Sequence, residues 1–441
     1  MQLRVTDGTT TVDLSGGTTG IAGCTYFPLA PSAGTATIAE QAELICKGTT
    51  AATIRAALNN LERLLEAAAR RRATGYGVRV FIEYKPVDGD SLYRSELYAG
   101  RLVYSEEPGA RRLGDANPAI KVGFVFERAP WWEGPEVELA ISAQGQTAAT
   151  GGRTVTNNGT NNWVQVAGGL VAGTEPGPVR LQLNNNTGAS QDYRNIYVGV
   201  NTFASPATYN GAHQGEADLM GSGSVADAGS SNGYYRNFAA TASEQLLAAW
   251  LLSTAEMASG GRWCRLLARL HYYETSKAVR IRPLIRDYYG LVTLWEGQPI
   301  WLPTVGGNYQ LVDLGSVPIP PGAYAPDYAE CRLGLKMQAS AATTVSVDYV
   351  QLVPMDGYRH VEQVGYNVPS GGAVEINEVD ESAYYWSGTQ RWPLHVATGP
   401  GLRVWPNVTQ RLYILHDEIF VSPVANTFSV RLWHRPRRST V

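Results

Sequence analysis

The segment "NEVDESAYYW", Asn377 to Trp386, sets Glu378, Asp380 and Glu381 beside aromatic rings. Two carboxylates flanking a sugar held against flat rings is what glycoside hydrolysis requires, one as acid and one as base or nucleophile. That chemistry also demands a fixed carboxyl separation, which residue order alone does not supply. Acids mixed with aromatics are common on exposed turns, so this stretch reads as a solvated loop between two strands. The histidines, His213, His271, His360, His395, His416 and His434, are dispersed. They form neither HExxH nor a pair at helical spacing, and a GxSxG elbow, a P-loop and a Rossmann glycine pattern are all absent. No reaction and no cofactor are expected. Cys24, Cys46, Cys264 and Cys331 lack CxxC spacing, which argues against zinc and against a disulfide framework. A Cys24–Cys46 bridge stays open, with buried free thiols as the default.

Ring stacking is a second kind of chemistry. "DYYGLVTLWEGQPIW" (287–301) gathers Tyr288, Tyr289, Trp295 and Trp301 with Asp287 and Glu296 between them. Flat rings lie against the apolar faces of sugars while acids fix the hydroxyls. Tyr309, Tyr324 and Tyr328 extend the same set. These rings are equally at home in a sandwich core. A third group is "ERAPWWEGPEV" (127–137), with Trp131 and Trp132 adjacent. On an extended backbone neighbouring side chains point to opposite faces, so one pocket cannot easily bury both. A ligand platform and a joint between two parts of the molecule are the alternatives, and the organisation of the chain favours the joint.

The elements that position these residues follow from composition and pattern. The chain has 441 residues, 17% charged and 44% hydrophobic, with 47 glycines, 24 prolines, 24 tyrosines and 11 tryptophans. That is the profile of a turn-rich, mainly β protein of two to four domains. A net charge of −3 gives no reason to expect nucleic acid as partner. No apolar run is long enough to insert in a membrane, and the opening residues do not resemble a secretory leader, so a soluble protein made in a cytoplasm is expected. "MQLRVTDGTTTVDLS" reads as a hairpin turning at Asp7-Gly8. A helix is expected over 50–73, where Ile54, Leu58, Leu61, Leu65 and Ala68 form one stripe. Thr49 or Thr50 caps its start, Gly75 closes it, and Arg70, Arg71 and Arg72 suit its last turn. Alternating strands then run to the Trp pair, so residues 1–133 form a β-sheet unit closed by one helix. Beyond it, short strands at regular spacing without helices predict sandwiches. "MGSGSVADAGSSNG" (220–233) separates two sets of them.

The first unit, ending in "VGFVFERAPWWEG", resembles the N-terminal region of siphophage distal tail and related tail-tip (baseplate) proteins. "PVRLQLNNNTG", "VWPNVTQRLYIL" and "SVRLWHRPRR" resemble strands of that family's galectin-like sandwich, here split into 134–205 and 359–441. The insert between them, 206–358, is similar to jelly-roll carbohydrate-binding modules through "GRWCRLLARLHYY", "LVDLGSVPIPPG" and "VSVDYVQLVP". In the last, Val347, Tyr349 and Leu352 would seal the sandwich. The resemblance implies a ring, a hexamer in the family, at the tip of a bacteriophage tail. It implies tail tube and tail hub proteins as neighbours and the virion as location. The insert implies a host-surface polysaccharide as a further partner, and by analogy a calcium site at Asp313 or Asp348, although no DxDxDG loop supports one. Glycan binding for host attachment is the alternative function, and a glycan-degrading enzyme using Glu378, Asp380 or Glu381 a remote one.

Overall fold

A computed structural model describes residues 1–31, 35–104, 118–188, 190–192, 194–202, 209, 211–220, 223–258, 261–302, 308–320, 331–362, 367–417 and 427–441. The chain is mainly β and divides into two compact units. The first comprises Met1–Val137, Ala172–Gly177 and Arg435–Val441; the second comprises Glu138–Val171 and Pro178–His434.

In the first unit the strands lie in the order Thr11–Asp13, Gln2–Thr6, Phe81–Lys85, Tyr93–Tyr104, Ala119–Arg128, Ile38–Lys47 and Gly23–Tyr26. Ile38–Lys47 alternates without a break between buried and exposed positions, as a sheet covered on one face requires. The helix Ala51–Thr74 buries Ile54, Ala57, Leu58, Leu61, Leu64, Leu65 and Ala68 against that covered face. Thr50 caps its first turn by accepting from the Thr53 amide. Gly75 ends it at φ 73°, a left-handed conformation that glycine adopts without a Cβ penalty. Gly100 lets helix and sheet close up, since a Cβ there would lie 2.8 Å from Leu65 Cδ2. The arginines of the last turn have local work: Arg71 donates to the Gly77 carbonyl at 2.7 Å, and Arg72 lies over the Tyr98 ring.

At one end of this core sits a buried ion pair. The Arg128 guanidinium donates twice to Glu40, both bonds at 2.7 Å, with both side chains sealed from solvent. Glu40 also accepts from the Tyr26 hydroxyl and the Leu29 amide, while Arg128 donates to the Ala129 and Leu29 carbonyls. Trp132 lies beneath the guanidinium at 4.3 Å and beside Tyr84 at 5.8 Å. Replacing Arg128 by Ala leaves Glu40 buried without its cation. The first unit should then lose about 3–5 kcal/mol, read as a shift in its denaturant midpoint. A loss under about 1 kcal/mol would show the pair to be dispensable.

The second unit holds two hydrophobic cores and a seam. One core unites Leu139, Ile141, Val164, Leu181, Val198, Ile376, Leu412 and Leu432, among others, from strands on both sides of 206–358 in sequence. The other lies within that stretch, between two sheets. One sheet runs Tyr234–Ala240, Thr343–Pro354, Trp263–Tyr273 and Asn308–Pro318; the other runs Gln245–Leu251, Cys331–Ala339, Val279–Asp287 and Thr293–Glu296. Thr343–Pro354 is buried almost throughout because both of its faces are covered. Val345, Val347, Val350 and Leu352 enter the core between these two sheets. Tyr349 and Val353 instead join Trp163, Tyr197, Tyr209, Tyr358 and Tyr413 in a seam with the neighbouring sandwich. Polar links cross the seam: Asn162 donates to Gln351 at 2.8 Å and the Leu311 amide to Asp417 at 2.9 Å. A Cβ on Gly199 would lie 2.3 Å from the Pro354 carbonyl oxygen, so the backbones approach as closely as only glycine allows. All four cysteines are free thiols, and burial pushes Cys46 up to about 11 and Cys264 to about 12.

Candidate functional site

The acidic loop 377–381 is a tight connection between the strands Ala373–Asn377 and Ser382–Ser387. Glu378 is engaged by Arg359 through both guanidinium arms, one at 2.7 Å. Asp380 accepts from the Asn377 amide at 3.0 Å, and Glu381 holds a positive φ of 53°. Arg391 covers the Tyr384 ring at 3.3 Å. These partners organise a turn between the two strands.

The two aspartates of the calcium analogy are likewise occupied. Asp348 pairs with Arg269 at 2.6 Å and accepts from the Ser231 amide; burial raises its carboxyl to about 6 against the pull of Arg269. Asp313 pairs with Arg265 at 2.7 Å and caps the Gly315 amide.

The Trp pair finds both its partners inside the first unit. Trp132 belongs to the core. Trp131 is half-buried, with the Arg437 guanidinium 4.3 Å over its ring. Arg437 also bonds Glu133 at 2.7 Å, and Arg437–Arg438 pairs as a strand with Trp132–Glu133. Opposite-facing rings are thus used as their spacing implies, one inward and one against the returning end of the chain.

The group 287–301 is spread around one sheet of the inserted sandwich. Asp287 is buried and accepts from the Leu291 and Val292 amides at 2.6 and 2.9 Å, fixing the turn that follows its strand. Trp295 packs partly into the core, and a Cβ on Gly297 would lie 2.7 Å from its ring. With Glu296, Gln298, Ile300, Leu314 and Ser316 it lines a cavity of about 320 Å³. Glu296 pairs with Lys336 at 2.9 Å and Arg282 at 3.4 Å. Trp301 is 60% exposed and Tyr289 65%, with Tyr288 edge-on to Tyr289 at 5.2 Å. Trp301, Tyr288 and Tyr289 are therefore the rings free to stack, while Asp287 and Trp295 hold the scaffold. Tyr324 and Tyr328 lie outside the described residues, as does the Tyr309 side chain.

Two features escape a reading of residue types. One is the Arg128–Glu40 pair, whose members are 88 positions apart. The other is the cationic surface between Trp301 and Tyr288, foreshadowed in the sequence only by the alternation of arginines in "VRIRPLIRD".

The histidines are structural where the geometry is known. His360 stacks on Tyr197 at 4.3 Å and His271 on Tyr235 at 3.7 Å, and burial lowers the affinity of each for a proton. His434 is the strongest case, lowered to about 4 by burial alone. Its imidazole stays neutral in the folded chain but takes a proton near pH 6.5 when unfolded. Its contribution to stability is complete above pH 6.5 and is lost as pH falls toward 4. The stability difference between the natural chain and His434→Asn should therefore be constant above pH 6.5 and change progressively between 6.5 and 4. Urea melts across that range measure it, and a difference independent of pH would refute the assignment.

Neither a family model nor a curated protein matches the sequence. Among solved structures, the SPP1 Dit protein is described as a paradigm of the hub adsorption apparatus in phages infecting Gram-positive bacteria. It aligns with 99% of this chain and 98% of its own at 9% identity, with a TM-score of 0.31. A secreted protein of Parabacteroides distasonis aligns with 58% of this chain and 99% of its own at 7% identity and TM-score 0.16. The infectious bursal disease virus Gt strain structure aligns with 68% and 80% at 11% identity and TM-score 0.15. Likenesses this loose leave the description above to rest on its own strands and cores.

Proposed function

We propose that this chain is a structural protein of a bacteriophage tail tip, of the distal tail type, acting by assembly and not by catalysis. In this reading the first unit closes into a homo-oligomeric ring, six subunits by family likeness, between tail tube and tail hub proteins in the virion. The observation that carries it is the face of the first unit's sheet opposite the helix, which is open among the described residues. The helix lies on one face only. On the other, Phe27 is 80% exposed, Leu29 54%, Ile45 43% and Val103 42%. Thr25, Phe27, Leu29, Val103, Gly123 and Val125 border a groove of about 840 Å³ there, crossed by the Lys121–Glu43 pair. Large exposed apolar side chains clustered beside charged ones are what a protein interface uses. A closed head-to-tail ring needs two different surfaces on each subunit. The apolar face supplies one, and the short edge strands Gly23–Tyr26 and Thr11–Asp13 offer main-chain groups for the other.

A second reading, host-surface glycan binding, is favoured by the exposed rings of Trp301, Tyr288 and Tyr289 on the inserted sandwich, and it is compatible with the first. Several weak outward sites on one ring would gain by avidity.

Light scattering and negative-stain imaging of the full-length chain test the ring. Closed particles of several subunits are expected. Phe27→Asp with Val103→Asp should weaken association at least about a hundredfold while leaving the thermal melt in place. A chain that stays monomeric at high concentration overturns ring formation by the chain alone.

A further inference from the structure

The outer face of the sheet Gln245–Leu251, Cys331–Ala339, Val279–Asp287 and Thr293–Glu296 carries an unbalanced charge. Residues two apart on a strand share a face, so Arg280, Arg282, Leu284 and Arg286 point the same way along Val279–Asp287. Cross-strand register extends these into rows. Arg280 stands between Gln338 and Trp301, Arg282 beside Lys336, Leu284 between Gly334 and Glu296, and Arg286 between Arg332 and Thr293. The opposite set on the same strands (Ile281, Ile285, Leu333, Leu335, Met337) fills the core, which leaves the cationic set facing out.

Charge pairing on this face is incomplete. Glu244 holds Arg280 and Arg282 at 3.6 and 3.2 Å, and Glu296 holds Arg282 and Lys336 at 3.4 and 2.9 Å. Two carboxylates thus serve three of the five cations, Arg280, Arg282 and Lys336. Arg286 and Arg332 have no carboxylate within 4 Å among the described residues. Arg286 donates only to the Leu291 carbonyl at 3.4 Å, and Arg332 lies 5.9 Å from the Tyr288 ring centre. Among the described residues this face carries a surplus of three positive charges, on a chain whose net charge is −3. Exposed rings stand at both ends, Trp301 beside Arg280 and Tyr288–Tyr289 beyond Arg286. Arg280 to Arg286 spans roughly 20 Å at about 3.3 Å per residue.

We propose that this face binds an acidic polysaccharide. Arg286, Arg332 and Lys336 would meet anionic groups spaced along the polymer, and Trp301 and Tyr289 would stack on sugar rings at either end. Rings without charge would suit a neutral glycan, and charge without rings any polyanion; the combination selects a charged sugar chain. The proposal rests on the glycan reading above and names its substrate class, and it does not depend on ring formation.

Calorimetry with the full-length chain at low salt tests it, using polygalacturonate and phosphomannan to separate carboxylate from phosphate, neutral dextran, and single-stranded oligothymidine. Binding of at least one acidic glycan is expected, weakened about tenfold by R286Q with R332Q. Among the described residues these two arginines have no ion pair to break, so their loss leaves Glu244 and Glu296 fully partnered and the melt unchanged. Trp301→Ala should weaken the same binding several-fold. Dextran bound as tightly as the acidic glycans, and unaffected by R286Q/R332Q, overturns the acidic class while leaving the glycan reading. No binding to any polysaccharide overturns both. Oligothymidine bound more tightly than either acidic glycan, or acidic binding indifferent to Trp301→Ala, overturns the proposal in favour of simple polyanion attraction.

Discussion

The first unit is organised around one buried ion pair. Arg128 and Glu40 sit on neighbouring strands of the sheet, wholly out of water, where each charge would be costly without the other. The pair also fixes what surrounds it. Tyr26 and Leu29 are tied to Glu40, so the exposed segment carrying Phe27 and Leu29 is held at its base by the core. Trp132 packs under the guanidinium, and the next residue, Glu133, receives Arg437 from the end of the chain. Burying this pair links the apolar outer face, the Trp pair and the returning terminus in one cooperative cluster.

In the second unit the comparable constraint is a strand buried on both sides. Thr343–Pro354 seals the inserted sandwich with one face and meets the neighbouring sandwich with the other. Tyrosines suit that seam because each combines a large apolar ring with a hydroxyl able to find a partner. Tyr413 and Tyr209 illustrate it, the first donating to the carbonyl of the second at 2.5 Å.

Both proposed binding surfaces follow from one property of sheets. Each strand presents alternate residues to opposite sides, so once one side is committed to a core the other becomes a surface of defined composition. In the first unit that surface is apolar, and in the insert it is cationic and aromatic. Glu378 and Asp380, the acids that look most like chemistry in the sequence, hold a loop through Arg359 and Asn377.

Local pattern made much of this legible. The helix with its Thr50 cap and Gly75 stop, the alternation of Ile38–Lys47 and the mainly β character all depend on residues near one another in the chain. Residue type alone also marked Trp301, Tyr288 and Tyr289 as candidates for stacking. It could not separate them from Trp295 and Asp287, because exposure is decided by which strand lies alongside. The same holds for Arg128 with Glu40, for Arg437 with Glu133, and for the grouping of Arg332 and Lys336 with the arginines of Val279–Asp287. Each joins positions dozens to hundreds of residues apart through strand register. Register is a property of paired backbones, so the sequence by itself determined the strands and their faces, and only the tertiary structure decided which faces meet.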